Sequence, residues 1–560
     1  MNTIYRCLSV VLLMAACQFL SAQELDPTVV VDRAYEGKLI EVHKPSLEMA
    51  VPDTVMKFDL DFDYSVFESP YKGSYEFSPY LLSMKPSVAS DAAGKFYLKA
   101  GAGYQLRPVL DAVWSPALKN NAWSLDLYAG NKSYFGDCMV MKGSDDSYQK
   151  LSGVGFLDSK AGMNVGYEQE NIIIRADVGY YGNHRLQSGE SPRNYNALDA
   201  AFTISSRDMY ALDKAVYEAD VDFRLASDHG LAENNLDVSL TYGTPLRTSG
   251  NILVNMDVEQ DSYSGVMEGS AAIMSLTPHY VYSKGRLHAD LGLKVSKVAV
   301  DPSSDIFVSA GRGQVLFPDI TVRYHLFRNA LMVFAKAGGG NNVFSNADLI
   351  ERNRYFDVIN GGKHALGLDY GSDMGVEVER LSAQAGLEGR IGSNFSWNLH
   401  AGYSDYASAV VDASNPLAGV FGVAYAPYRS WNSTVGWMWK SEGFMTEAAV
   451  TYLDAWGEAF SGLSDNFQPA RFTGNVSAEY NYSRRFFAGI DCVFSSERVC
   501  RDGDVVLPGY ADLGVSAEYV TSRSMSFWLR GGNLLGMTIH HNSIFAVKGP
   551  YFTLGICLKL

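Results

Sequence analysis

The sequence predicts an all-β protein: a closed antiparallel transmembrane β-barrel of about 20 strands, within a range of roughly 16 to 22, behind a short extended N-terminal segment. Three observations predict it. Apolar and polar residues alternate over stretches of about ten residues, the length a tilted strand needs to cross a bilayer. Short polar connections alternate with long Asp/Ser/Gly-rich ones. The composition is rich in tyrosine (34) and glycine (52) over 560 residues, and only 19% charged, against about 25% in ordinary soluble domains.

Residues 1–22 read as a secretory signal peptide. Arg6 supplies the positive start, an apolar run from Cys7 to Leu20 follows, and Ser21-Ala22 offers a small-residue cleavage site before Gln23. The run, about 14 residues, is too short to span a bilayer as a helix. Met14-Ala15-Ala16-Cys17 loosely resembles a lipoprotein box; the plainer reading is a cysteine inside the apolar run. No later stretch holds about 18 consecutive apolar residues, which argues against a helical membrane protein.

Residues 23–94 form the extended segment, periplasmic or lumenal, punctuated by prolines and without helical periodicity. Pro27-Thr28-Val29-Val30-Val31 is a good strand former, suited to adding to a partner's sheet or to pairing in the barrel mouth. Residues 58–84 mix aromatic and acidic side chains with Pro70 and Pro79. They read as a partial stopper in the lumen, a docking strand for a partner, or a linker, though a linker is seldom so aromatic.

Residues 95–560 form the barrel. In one stretch Phe472, Gly474, Val476, Ala478, Tyr480 and Tyr482 share a face opposite Thr473, Asn475, Ser477, Glu479 and Asn481. Leu291, Leu293 and Val295 alternate likewise with Asp290, Gly292 and Lys294, and Val515, Ala517 and Tyr519 with Gly514, Ser516 and Glu518. Short connections are expected at 119–121, 168–171, 227–234, 284–285, 328–329, 392–394, 442–443, 483–485 and 522–524, and long ones at 136–150, 186–214, 301–313, 341–375 and 499–508. With both termini on the short-turn side, nine short turns imply about 20 strands. A propeller would repeat a blade motif, and none is found. A sandwich of this size would need several linked domains.

Arg323, His325, Asp290, Lys294, Glu479 and Asp512 are expected to face the lumen, and Trp431, Trp437 and Trp439 to sit in interfacial girdles. The last strand, from Phe552, would carry a lipid stripe of Phe552, Leu554, Ile556, Leu558 and Leu560 and seal the barrel edge. Thr553, Gly555, Leu558 and Leu560 resemble the C-terminal signal read by the barrel assembly machinery, with leucines where aromatics are usual. Outer-membrane lipid, that machinery and a periplasmic or outer-membrane protein are the expected partners, and the cell outer membrane the expected location. The net charge of −16 with no basic stripe argues against nucleic acid. An acidic lumen or acidic loops would favour cations or neutral solutes over anions.

Catalysis finds no footing. His184, His279, His288, His325, His364, His400, His540 and His541 are scattered, and no nucleophile turn, metalloprotease helix or phosphate loop stands out. His540-His541 is an incomplete metal site, so no enzyme, cofactor or metal is expected. Four cysteines follow the signal: Cys138, Cys492, Cys500 and Cys557. Cys492 and Cys500 are close enough to bridge, or remain free thiols. The connection 341–375 carries Asp348, Glu351, Arg352, Arg354, Tyr355, Phe356 and Asp357. It either binds a ligand outside or folds inward and narrows the pore.

Several stretches resemble the TonB-dependent receptors of the outer membrane. Pro508-Gly509-Tyr510-Ala511-Asp512-Leu513 and Ser524-Met525-Ser526-Phe527-Trp528, ending in Asn533-Leu534-Leu535, are similar to that family's last strands. Val30 to Glu36, Phe62-Asp63-Tyr64, Tyr75 to Pro79, Phe317-Pro318 with Tyr324, Gly338-Gly339-Gly340 and Asn353-Arg354-Tyr355 resemble a plugless branch in Bacteroidota. The resemblance implies a receptor-like barrel that passes or binds a solute. It departs from the family in the space before the barrel, since 23–94 is too short for a full plug. The other class is a non-transporting barrel, a subunit or scaffold of an envelope assembly or adhesion complex.

Overall fold

The structure is a computed structural model and describes residues 95–560 except 119, 121, 142–147, 187–192, 209–213, 248–249, 308–312, 328–329, 360–373, 416–419, 458–468, 501–504 and 541–544. Residues 1–22, expected to be a signal peptide, and the expected extended segment 23–94 lie outside the described residues.

The chain winds up and down. The first strands are β1 (Lys95–Tyr104), β2 (Val109–Ser115), β3 (Trp123–Met141), β4 (Tyr148–Glu168), β5 (Ile172–Leu186), β6 (Arg193–Ser206) and β7 (Val216–Asp228). Next come β8 (Leu231–Arg247), β9 (Gly250–Gly265), β10 (Gly269–Lys284), β11 (Leu287–Val300), β12 (Leu316–Phe327) and β13 (Leu331–Val343). A short helix, α1 (Asn346–Arg352), precedes β14 (Val376–Ile391), β15 (Phe395–Asn415), β16 (Val420–Lys440), β17 (Phe444–Gly457), β18 (Phe472–Tyr482) and β19 (Phe486–Ser495). A small hairpin, β20 (Arg498–Cys500) and β21 (Val505–Leu507), leads to β22 (Tyr510–Ser522) and β23 (Met525–Gly532). A second hairpin, β24 (Thr538–His540) and β25 (Phe545–Lys548), leads to β26 (Tyr551–Lys559).

Leaving out the two hairpins, 22 strands pair antiparallel with their chain neighbours. The last wall strand returns to the first, from Tyr97↔Lys559 to Tyr104↔Phe552, so the sheet closes. Closure leaves no strand edge in the wall, which is what a bilayer demands of backbone amides. At the outer rim β3 stands above its short neighbour β2, and β25 pairs with that upper edge at Phe545↔Val140. No helix among the described residues is long and apolar enough to cross a membrane.

The alternation read from sequence sets the two faces. Phe472, Val476, Tyr480 and Tyr482 are exposed on the outside of β18, as are Leu291, Leu293 and Val295 on β11 and Phe552, Leu554 and Ile556 on β26, with Leu560 exposed just past its end. Trp431 and Trp439 are exposed on β16. They stand eight residues apart, about 26 Å along the strand and about 20 Å along a tilted barrel axis, close to the height of an apolar belt. Just outside Trp431, Arg429 pairs with Asp405 at 3.0 Å. On β7 to β10 the outward positions turn polar at Ser227, Asn234, Gln260 and Ser270, so residues beyond them stand clear of the belt.

The expected range contains the observed 22 strands, but two details differ. The 186–214 connection contains β6. Its lower half shows the pattern, with Leu198 and Phe202 exposed. Its upper half stands above the belt and points Asn194 and Asn196 outward, so the apolar signal stops midway. The 227–234 turn lies on the side opposite the other eight. It is a two-residue hairpin with His229 and Gly230 at positive φ (47° and 86°), the backbone of a tight turn between twisted strands. Outer connections of a barrel are not all long, and length alone misassigned the side.

Candidate functional site

The connection after β13 folds inward. Gly338 to Gly340 carry a register shift against β14. A bulge adds a residue to one strand and bends it, and the side-chain parity of β13 changes there: Phe334 is buried below it, Asn341 and Val343 above it. A Cβ on Gly339 would meet the Glu379 carbonyl oxygen at 2.7 Å, so close backbone approach requires glycine here. Asn341 then donates to Ser296 Oγ at 3.0 Å and to the Gln314 carbonyl at 2.7 Å, pinning the rim.

Ser345 starts α1. Its hydroxyl accepts from the Asp348 N–H at 3.1 Å, while the Asp348 carboxylate accepts from the Ser345 N–H at 3.1 Å. This reciprocal cap lets a helix of only seven residues form. Asn346, Ala347, Leu349 and Ile350 are buried against Tyr195, Leu231, Phe317, Phe356, Val358 and Met374. These residues form one apolar core inside the barrel wall.

Polar anchors hold the segment across the barrel. The Arg354 carbonyl accepts from Arg185 on β5 at 3.5 Å, and the Arg185 guanidinium lies 5.5 Å from the Tyr355 ring centroid. The Tyr355 carbonyl accepts from the Phe421 N–H on β16 at 2.9 Å. Strands β5 and β16 are eleven apart in the ring of 22, so one residue contacts opposite walls. Arg354 pairs with Asp158 on β4 at 2.8 Å and lies over Phe156. Arg352 reaches the Val410 carbonyl at 3.3 Å and Asp412 at 3.6 Å on β15. Tyr355 stacks on Phe545 of β25 with centroids 3.7 Å apart.

Beside the helix, Arg193 and Asp228 form a buried pair, Arg193 Nε lying 3.0 Å from each carboxylate oxygen. Asp228 also accepts from the Asn346 amide at 3.4 Å. Breaking a buried pair leaves one charge uncompensated and costs about 3–5 kcal/mol. Arg193→Met should therefore lower the melting temperature markedly, and adding Asp228→Leu should restore most of it. Equal melting of the single variant and the parent would show that the pair contributes little.

Of the two readings of 341–375, the described residues 344–359 take the inward one. Phe356 and Asp357 are buried and Glu351 is exposed. The lumenal assignments hold for Asp290, which bonds His279 at 2.9 Å, and for Asp512, which accepts from the Asn533 N–H at 2.7 Å. Asn533 has φ +47° and donates to the Met537 and Gly549 carbonyls, so the Asn-Leu ending is the bend from β23 into the outer hairpin. Cys492 is a free thiol. His540 is buried, and burial and then Arg498 hold its imidazole below its ordinary range. Among the described residues no group of three or more His, Cys, Asp or Glu side chains is placed to hold a metal.

Sequence reasoning missed Arg193, Asp228, Glu233, Asp261 and Tyr263. Polar residues at inward strand positions are ordinary in a barrel, and nothing in the chain itself marks those that meet the inward segment. Thr553, Gly555 and Leu558 lie on β26 and Leu560 directly follows it; Gly555 faces Gly101 across the closing seam.

No known family profile matches the sequence, and neither does any curated relative. Solved structures do. A mutant of the ferric enterobactin receptor of Pseudomonas aeruginosa, in complex with enterobactin, has a TM-score of 0.61 at 10% identity, covering 84% of this chain and 82% of that one. The siderophore receptor PirA from Acinetobacter baumannii gives 0.62 at 11%, covering 83% and 80%. The FrpB iron transporter from Neisseria meningitidis gives 0.61 at 9%, covering 84% and 82%. The shared feature is the barrel fold, and with its apolar belt this chain builds an outer-membrane barrel.

Proposed function

We propose that this chain is a receptor-like outer-membrane barrel that binds a solute at its outer mouth and admits it when the inward segment moves aside. One observation carries the reading. The segment 344–359 crosses the lumen on ion pairs and hydrogen bonds to opposite walls, and it lies where an entering solute must pass. A wall of 22 strands encloses a wide bore that has to be filled, and a filling hung on discrete anchors can be released at them. The structural neighbours named above are a ferric enterobactin receptor, a siderophore receptor and an iron transporter, which makes ferric siderophores the first solutes to test. The role is binding and passage rather than catalysis.

A permanently sealed barrel, serving as a scaffold in an envelope complex, is the second reading. It is favoured by the burial of Leu349, Phe356 and Met374, each at most 1% exposed. Titration of the detergent-purified protein with a panel of ferric siderophores and free metal ions, followed by calorimetry, separates the two. Saturable binding that weakens in Arg354→Ala or Tyr355→Ala supports the receptor. No binding across the panel, together with a stoichiometric envelope protein recovered by cross-linking, supports the scaffold.

A further inference from the structure

We propose that a calcium-like divalent cation binds where the inward segment meets β8 and β9, held by the carboxylates of Glu233 and Asp261 and the amide oxygens of Asn235 and Asn346. The four side chains are almost completely buried: Glu233 and Asp261 at 2% exposure, Asn346 at 0% and Asn235 at 7%. Each presents one oxygen that accepts no hydrogen bond: Glu233 Oε2, Asp261 Oδ2, Asn235 Oδ1 and Asn346 Oδ1.

The other atoms of the same groups tie them into one cluster. The Asn235 amide donates to the Asp261 carboxylate and stands close to Glu233, whose charged form it favours. The Tyr263 hydroxyl donates to Glu233 Oε1 at 3.5 Å and accepts from the Asn346 N–H at 3.2 Å. The Ala347 N–H lies close enough to the Glu233 carboxylate to favour its charged form. Three of the four ligands therefore come from the wall and the fourth from the start of α1.

Charge balance calls for a cation. Arg193 pairs with Asp228 and Arg224 with Asp199; Arg224 also attracts the Glu233 carboxylate from farther away, and neither arginine forms a contact ion pair with Glu233 or Asp261 among the described residues. Asp348 adds a further negative charge nearby, its carboxylate held in the cap of α1. Buried carboxylates require a paired charge, a metal or a proton. The unpaired oxygens are carboxylate and amide oxygens, the hard donors that calcium takes, and its six to eight ligands would be completed by water. No thiolate or imidazole contributes, which disfavours zinc and copper. Only two carboxylates take part, so the amide oxygens complete the set. A bound cation would fasten the segment to the wall at Asn346.

The test uses the full chain in detergent. Terbium is the luminescent probe, excited through the neighbouring Tyr263 and Tyr195. Saturable emission that calcium displaces is expected, weakened roughly a hundredfold in Asp261→Asn and lost in Glu233→Gln/Asp261→Asn. Calcium should raise the melting temperature of the parent and leave the double variant unchanged, with the double variant still migrating as a folded barrel. A parent with no sensitised emission and the same melting temperature in calcium and in chelator would overturn the proposal and assign the carboxyls a shared proton. Undiminished emission from the double variant would overturn it by placing the ion elsewhere.

Discussion

Replacing residues 345–374 by a short Asn-Gly hairpin should turn a poorly conducting barrel into an open channel. The replacement is geometrically simple, because Val343 and Val376 are register partners on adjacent strands and a two-residue turn can join such a pair. It removes α1, the Arg354–Asp158 pair and the Tyr355–Phe545 stack together. The bore left in a 22-strand wall is wider than that of a porin, so single-channel conductance in planar bilayers should rise on the order of tenfold or more. The variant also loses buried apolar side chains worth about 1.5–3 kcal/mol each, so a folded-barrel gel shift must accompany the trace. If conductance appears only when 23–94 is removed as well, the N-terminal segment is a second closure. A folded variant that stays silent in both forms would remove the lumen as a route for solute.

Gly555→Val is expected to prevent the barrel from closing. Gly555 on β26 faces Gly101 on β1 and Trp528 on β23. A Cβ at 555 would lie 2.1 Å from the Ala100 carbonyl oxygen and 2.6 Å from the Trp528 indole, and one at 101 would meet the same indole at 2.5 Å. The indole lies across both glycines, donates to the Ile556 carbonyl at 3.3 Å and carries Lys99 over its ring at 4.7 Å. Overpacking in a soluble core costs about 1–3 kcal/mol. At this seam the loss should be larger, because a parted seam exposes backbone amides to lipid. The measurement is refolding of the purified chain into detergent, read as heat-modifiable mobility, beside assembly in cells. Failure in both places assigns the glycine to packing. Normal refolding with failure only in cells would instead make Gly555 part of a signal read by the assembly machinery, and Leu560→Ala should then slow assembly in the same way.

The sequence by itself determined the class, the closure and the lipid face. Strict alternation at Phe472, Val476, Tyr480 and Tyr482 could belong only to a strand with one greasy side, and the alternation of Phe552, Leu554 and Ile556 marked a further wall strand. These are local properties: which way a side chain points follows from its parity along its own strand. The same locality explains the failures. The upper half of β6 has no lipid on its outer side, so Asn194 and Asn196 hid a strand. The His229-Gly230 hairpin was assigned to the wrong side because turn length does not encode direction.

Only the tertiary structure decided the site. The residues of 341–375 were compatible with an external loop or an internal filling, and their own composition does not distinguish the two. The choice rests on which strands stand around them: Asp158, Arg185, Asp228 and Tyr263 on one side and Val410 and Phe421 on the other, brought within reach by closure of the ring. Burial of Arg193 and Glu233 is likewise a property of the closed cylinder with its segment in place, since each is an ordinary lumenal residue until something packs over it. Parity specifies a face, and what meets that face depends on contacts between residues from 58 to 196 positions apart.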